Sequence, residues 1–373
     1  MPNEGRVLAF PTRDCAKPMS RGEALMAAHD YLSTPRENRS EQFTKSHLEN
    51  ADTLSGIFAV LKDRGNVAPA DVLEEAKVLY EWLSAPQHRV GFFDESDYFR
   101  GESALYAGAS TRLVGSREET ERWLDRAEAS FRHTINPAPM LARVAYIRLA
   151  LRYDTGRYDE VTELIPSLHL TFGKLAMAEE YWKCRFLEGM AFKAMGNLDQ
   201  AAVAFEDLVS AAQLPVDDGL KGTALINLGN LKSGQGDHEA ALRSYSEALP
   251  LLKRANRPVA LADLKTMVGE TLNLLGRKTQ AIDAYLEAVA DYISIGAATQ
   301  AAYIQVVLAE ALLDAERPRE AEWQIAAALP TIEREKMLPE GLAAVVLLKE
   351  SVRQRNANPK ALAEVRHHLQ NRA

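Results

Sequence analysis

Cysteine is nearly missing, with only Cys15 and Cys184 in 373 residues. Two thiols so far apart exclude a disulfide scaffold and any cysteine-rich metal site, and they suit a reducing compartment. Long apolar runs are missing too. No stretch approaches the roughly 20 apolar residues that cross a bilayer, and the opening MPNEGRVLAFPTRDCAKPMS holds no signal-peptide core. A cytoplasmic protein with no membrane association is the expectation. Positive charge is in deficit, 44 Lys+Arg against 52 Asp+Glu. A net −8 offers no general field for nucleic acid, so none is expected as a partner. Low hydrophobicity, the mark of disorder, is absent as well: 47% of residues are apolar and 26% charged.

Catalytic signatures are equally scarce. The eight histidines show no HExxH spacing, and the chain has no GxxxxGK[ST] phosphate loop, no strand-borne GxGxxG and no GxSxG elbow. Gly234 and Gly236 form a GxG between two helical patterns, where capping accounts for them. His367 and His368 are adjacent on a helical pattern and point in different directions. No catalytic residue, metal or cofactor is expected. Trp82, Trp123, Trp182 and Trp323 fall at core-like spacing, and Cys184 is expected to be buried.

A repeat is what the chain does have. Ala201, Ala241, Ala281, Ala321 and Ala361 stand forty residues apart without a slip. Alanine is common here, 57 residues, but five in register exceed coincidence. Gly156, Gly196, Gly236 and Gly276 keep the same period, continued by Glu316 and Asn356. Small residues precede them by seven: Gly189, Gly229, Gly269 and Ala309. Four residues after the alanines come Phe205, Tyr245, Tyr285, Ile325 and Val365. Each unit reads as two amphipathic helices, such as TALINLGNLKSGQ and HEAALRSYSEALPLL. The intervening glycine stops the first helix in a left-handed conformation. The small residues let the two backbones close, with the large apolar residue beside them. One such hairpin cannot bury its own apolar face, so neighbours must stack.

ALINLGNLKSGQGDHEAALRSYSEAL, through Leu228, Gly229, Gly236, Ala241, Tyr245 and Ala248, resembles the tetratricopeptide repeat family. The next unit matches through Gly269, Gly276, Ala281, Tyr285 and Ala288, and the one before through Gly189, Phe192, Gly196, Ala201 and Phe205. Matches thin outward, and the earliest unit fits through Gly108 and Gly115, offset by one. The resemblance covers residues 101–373, about seven units. It implies an all-α, right-handed α-solenoid of helix hairpins that binds protein or peptide. Forty residues per unit depart from the usual thirty-four, so longer helices or longer turns must take up the difference. Units of forty resemble those of peptide-binding regulators and scaffolds.

Residues 1–20 read as a flexible tail and residues 21–100 as an N-terminal helical cap. The cap shows three patterns: GEALMAAHDYL, SEQFTKSHLENADTLSGIFAVLK and PADVLEEAKVLYEWL. Gly65 is placed to end the second pattern and Pro69 to begin the third. Residues 1–100 hold 12 Lys+Arg against 16 Asp+Glu, which argues against a DNA-reading helix pair there. An enzymatic site in residues 21–100 is the third-ranked alternative.

In the family resembled, the first helix of each unit lines a ligand groove. Carrying those positions over implies Arg112, Arg143, Tyr146 and Tyr153, then Lys183, Phe186 and Lys193. The middle unit supplies Ile226, Asn230 and Ser233, and the later units Asp263, Thr266, Glu270 and Asn273, then Tyr303, Glu310 and Asp314. The mapped face is basic and aromatic early and acidic late. Arg143, Lys183 and Lys193 are expected to converge on one carboxylate beside an apolar residue, and the asparagines to hold a bound backbone. An extended, carboxylate-bearing protein segment or peptide is the implied partner. The main alternative is a peptide-gated regulator whose N-terminal cap controls an effector. The last helix, from Pro359, is expected to cap the stack with a basic end.

Overall fold

The structure, a computed structural model, describes residues 19–65, 68–85, 88, 93–211 and 216–335. Cys15, Asn356, Ala361, Val365, His367, His368 and the expected final helix lie outside these residues. Sixteen α-helices and one 3₁₀ turn make up the described chain. The chain divides into two compact units, Met1–Arg157 and Tyr158–Ala373.

The first unit holds α1 (Arg21–Ser33), α2 (Glu41–Leu48), α3 (Ala51–Arg64), α4 (Pro69–Ser84), α5 (Phe93–Val114), α6 (Arg117–Phe131) and α7 (Ala138–Asp154). The continuous pattern over residues 40–62 is broken into two helices, because Asn50 caps the second of them. Its side-chain carbonyl accepts from the Asp52 and Thr53 amides. Gly65 does end α3, but with right-handed dihedrals, and Pro69 opens α4 at its first position. Tyr31, Leu54, Ile57, Leu61, Val72 and Leu79 form the core of these early helices. One buried carboxylate, Glu75, is clamped by Arg39 at 2.7 Å and Arg36 at 3.3 Å, and Arg39 lies over the Tyr31 ring. Helix α5 packs on both α4 and α6. Gly108 faces Leu124 sixteen residues later, the spacing that also joins Gly229 to Tyr245. The spacing across the α5–α6 turn is thus kept, and the one-residue offset of this hairpin arises after it, where residues 132–137 separate α6 from α7 in place of a three-residue turn.

The second unit holds α8 (Tyr158–Lys174), α9 (Ala178–Ala194), α10 (Leu198–Ser210), α11 (Asp218–Gly234), α12 (His238–Arg254), α13 (Pro258–Leu274), α14 (Lys278–Ser294), α15 (Ala298–Asp314) and α16 (Pro318–Arg334). Each packs on the next in chain order. All but α10 are 17 residues long and begin twenty residues apart, so two helices and two three-residue turns fill the forty-residue period. Longer helices therefore absorb the departure from thirty-four. The turns are alike. At Gly236, φ is +85°, its amide bonds to the Ser233 carbonyl, and the Asp237 amide reaches back to the Lys232 carbonyl. Gly156, Gly196, Gly276 and Glu316 repeat this, as the forty-residue register predicts. So do Ala176, Asn256 and Gly296, at the twenty-residue midpoint.

The helix crossings follow the expected register. Ala201, Ala241, Ala281 and Ala321 are fully buried, as are Phe205 and Ile325, while Tyr245 and Tyr285 are nearly so. A β-carbon on Gly189, Gly229 or Gly269 would stand 2.8, 2.3 or 2.6 Å from the ring of Phe205, Tyr245 or Tyr285. Trp123 and Trp182 are buried and Trp82 packs at the edge of the early core. Trp323 corrects the expectation: it is 67% exposed, at a position of α16 whose equivalents Glu163, Val203, Arg243 and Asp283 all face solvent. No helix among the described residues is long and apolar enough to cross a membrane.

Candidate functional site

Three first helices of the second unit touch in turn, α9 with α11 and α11 with α13, so these three form one continuous layer. The forty-residue period lines their side chains up in columns. The sixth positions are Lys183, Thr223, Asp263 and Tyr303. The thirteenth are Met190, Asn230, Glu270 and Glu310, and the sixteenth begin Lys193, Ser233, Asn273. Charge changes sign from α9 to α13.

At the basic end the two lysines differ. Lys183 donates to Glu179 on its own helix at 2.7 Å, so its charge is already met. Lys193 is half-buried, and its ammonium donates to the Asn227 side-chain carbonyl at 2.9 Å. No carboxylate lies within 4 Å of it among the described residues. Burial alone holds its titration below the ordinary lysine range. Asn227 in turn donates to the Thr223 carbonyl at 3.0 Å, which fixes its amide orientation. One turn on, Asn230 accepts from the Tyr245 hydroxyl at 2.6 Å, so that oxygen is engaged. Phe186 sits half-buried against the Phe205 ring, at the edge of the core. Asn273 and Glu310 are half-buried on their helices.

The acidic end is a cavity of about 320 Å³ between α13, α14 and α15. Asp263, Thr266, Met267 and Glu270 line it from one face of α13, at i, i+3, i+4 and i+7. Tyr292 of α14 closes it, with its hydroxyl donating to Asp263, and Gln300, Tyr303 and Ile304 of α15 form the opposite wall. Desolvation raises the Asp263 carboxyl above the usual carboxylate range, against the lowering effect of the Tyr292 hydrogen bond. Burial, then Asp263, pushes the Tyr292 phenol up. Four of the sequence-mapped residues, Asp263, Thr266, Glu270 and Tyr303, thus meet in one cavity.

Of the remaining mapped residues, Ile226 is buried on α11, Ser233 and Asp314 lie at the ends of α11 and α15, and the others belong to the first unit. Arg143 pairs at 2.5 Å with Glu102, a carboxylate only 4% exposed on α5, beside the half-buried Tyr98 and Tyr106. Arg112 pairs with Asp154 at 2.5 Å. Both arginines therefore tie α5 to α7, and Tyr146 and Tyr153 are half-buried on α7. Arg143 stands in the first unit and Lys183 and Lys193 in the second; the two lysines sit ten residues apart on α9 with different partners.

Sequence reasoning missed Asn227, Met267, Tyr292, Gln300 and Ile304. A signal existed for two of them. Asn227 stands in a column otherwise Leu187, Met267 and Val307, and Tyr292 in one otherwise Phe172, Leu252 and Ile332. A polar atom at an otherwise apolar repeat position is the mark. Cys184 is buried as expected, and burial pushes its thiol well up, which makes it inert.

No family model matches the chain, and no curated protein matches it. Solved structures do share its fold. Aspartyl phosphate phosphatase F of Bacillus subtilis is 16% identical, covering 96% of this chain and 95% of that one at a TM-score of 0.54. The Rap conjugation gene regulator of plasmid pLS20, solved in complex with the Phr* peptide, is 16% identical, covering 94% of each chain at 0.54. A signal transduction ATPase of Pyrococcus horikoshii with a tetratricopeptide repeat sensor is 10% identical at 0.62; 94% of this chain matches 53% of that one. At these identities the likeness is one of fold: an all-α, tetratricopeptide-type solenoid.

Proposed function

We propose that this chain is a non-catalytic, cytoplasmic binding protein whose first-helix layer takes an extended peptide or protein segment. Lys193 carries the reading. A half-buried ammonium facing an amide oxygen and no carboxylate is costly, and a ligand carboxylate would relieve that cost. The acidic cavity at α13–α15 supplies the opposite pole, and charge polarity would set the ligand's direction. The fold shared with a regulator solved with a bound peptide supports the same reading.

Geometry suggests a ligand length. First helices in contact stand about 8–10 Å apart. The path from Lys193 to the cavity crosses two to three such steps and drops about 10 Å along the axes at 1.5 Å per residue. The distance is roughly 25 Å, or about seven extended residues. The test is selection from a random octapeptide library with free C-termini. Enriched peptides should pair a carboxylate with Lys or Arg about seven residues away, and Lys193→Glu should lose them. Enrichment that Lys193→Glu leaves unchanged would place binding elsewhere.

A second reading, a peptide-gated regulator acting through the N-terminal helices, draws support from the fold shared with the plasmid regulator. A selected peptide that shrinks the radius of gyration in X-ray scattering would favour it; an unchanged radius would favour a static scaffold.

A further inference from the structure

The α13–α15 cavity has a split character that the peptide reading does not require. Carboxylates stand at Asp263 and Glu270, while Met267, Tyr303 and Ile304 make the remaining wall apolar and aromatic. Among the described residues no lysine or arginine lines it. The nearest basic residue on the same helix, Lys265, is committed to Glu287 at 3.1 Å and Asp291 at 2.8 Å. A ligand suited to this lining has an apolar stem and a cationic head, since alkyl chains cover apolar surface and cations favour ring faces and carboxylates. A metal ion fits poorly: among the described residues no group of three or more His, Cys, Asp or Glu is assembled to hold one. The volume, about 320 Å³, lies at the small end of ligand sites, which run from about 300 Å³.

We infer that this cavity is a specificity pocket for one arginine or lysine side chain of the bound segment. The inference rests on the peptide-binding reading and names which side chain that ligand must carry. Asp263 and Glu270 meet the cationic head, and Met267 and Ile304 pack the methylene stem. Tyr292 positions Asp263 through its hydroxyl and does not itself need to touch the ligand.

The test uses the full chain with ¹³C-methyl labels on Met and Ile, so that Met267 and Ile304 report from inside the cavity. The probes are N-acetyl-arginine amide, its uncharged isostere N-acetyl-citrulline amide, and putrescine. The arginine probe should shift both methyls saturably, and the citrulline probe should need at least tenfold higher concentration. Asp263→Asn with Glu270→Gln should remove the response. Glu270→Gln alone, which leaves the Asp263–Tyr292 bond in place, should weaken it severalfold. The probes are single residues that reach only the cavity, so failure of the peptide reading at Lys193 and failure of the pocket are separate results. Equal response to citrulline, or shifts that bypass both methyls or survive in both carboxylate variants, would overturn the proposal. Putrescine acting at tenfold lower concentration than the arginine probe would also overturn it, in favour of a free amine.

Discussion

Gly229→Ala adds one methyl group to a helix, where alanine is ordinarily favoured over glycine by about 1 kcal/mol. Here the sign should reverse. The new β-carbon would stand 2.3 Å from one ring carbon of Tyr245 and 2.7 Å from another, the nearer of them more than 1 Å inside the ~3.5–4.0 Å contact optimum. The ring cannot swing into solvent, because Tyr245 is almost fully buried and its hydroxyl is held by Asn230 at 2.6 Å. Overpacking costs about 1–3 kcal/mol, and the strained or broken hydrogen bond about 1 kcal/mol more. Set against the propensity gain, the net loss is about 2 kcal/mol. Gly189→Ala, facing the ring of Phe205 at 2.8 Å with no hydroxyl to hold it, should lose less. Gly173→Ala, with nothing within 4 Å, should gain up to about 1 kcal/mol. Urea melts followed by helical circular dichroism rank the three. If Gly229→Ala melts at or above the parent, as Gly173→Ala should, the glycine–ring contact does not set the hairpin spacing.

Three further outcomes follow from the same geometry. Ala176→Gly and Glu316→Gly relieve left-handed dihedrals of +56° and +59° and should each stabilise by about 1 kcal/mol in denaturant melts. Lys193→Met removes a desolvated cation whose folded titration lies below its unfolded one. Its stability advantage over the parent should be full at neutral pH and fade as pH rises through the lysine range, where the parent also becomes neutral, while peptide selection is lost. Burial lowers the His169 titration, and its Nε2 has no hydrogen-bond partner among the described residues. The folded state thus binds fewer protons than the unfolded chain below the ordinary histidine value. Stability should fall as pH drops through that value, and His169→Phe should flatten the slope in melts between pH 7 and 5.

The forty-residue period was readable because glycine, alanine and an aromatic each answer a steric demand at a fixed helix crossing. The twenty-residue midpoint was not, because Ala176 and Asn256 hold the left-handed position without the residue type that announces it. Composition does not separate Lys193 from Lys183, but the i, i+4 spacing of Glu179 and Lys183 does, and that was legible. The arrival of Asn227 from 34 positions along the chain was not. Arg143 is the sharper case. Its position is mapped from the repeat register, but Glu102, 41 residues earlier, was hidden on a helix whose hairpin sits out of phase. Trp323 shows the limit of reading aromatics as core: the period itself places it in a column of solvent-facing residues.

The uniform turns bear on mechanics. From Tyr158 to Arg334, every described three-residue turn is closed by the same pair of amide bonds, so none is singled out as softer than the rest. A hinge concentrates a conformational change at one weak joint, where a single substitution can lock or free it. Joints of equal compliance would instead share any change of pitch, each turning by a small amount. A ligand spanning α9 to α15 would then act on several joints at once. Straining one turn, for instance by Gly236→Ala at a φ of +85°, should alter the response in part rather than abolish it.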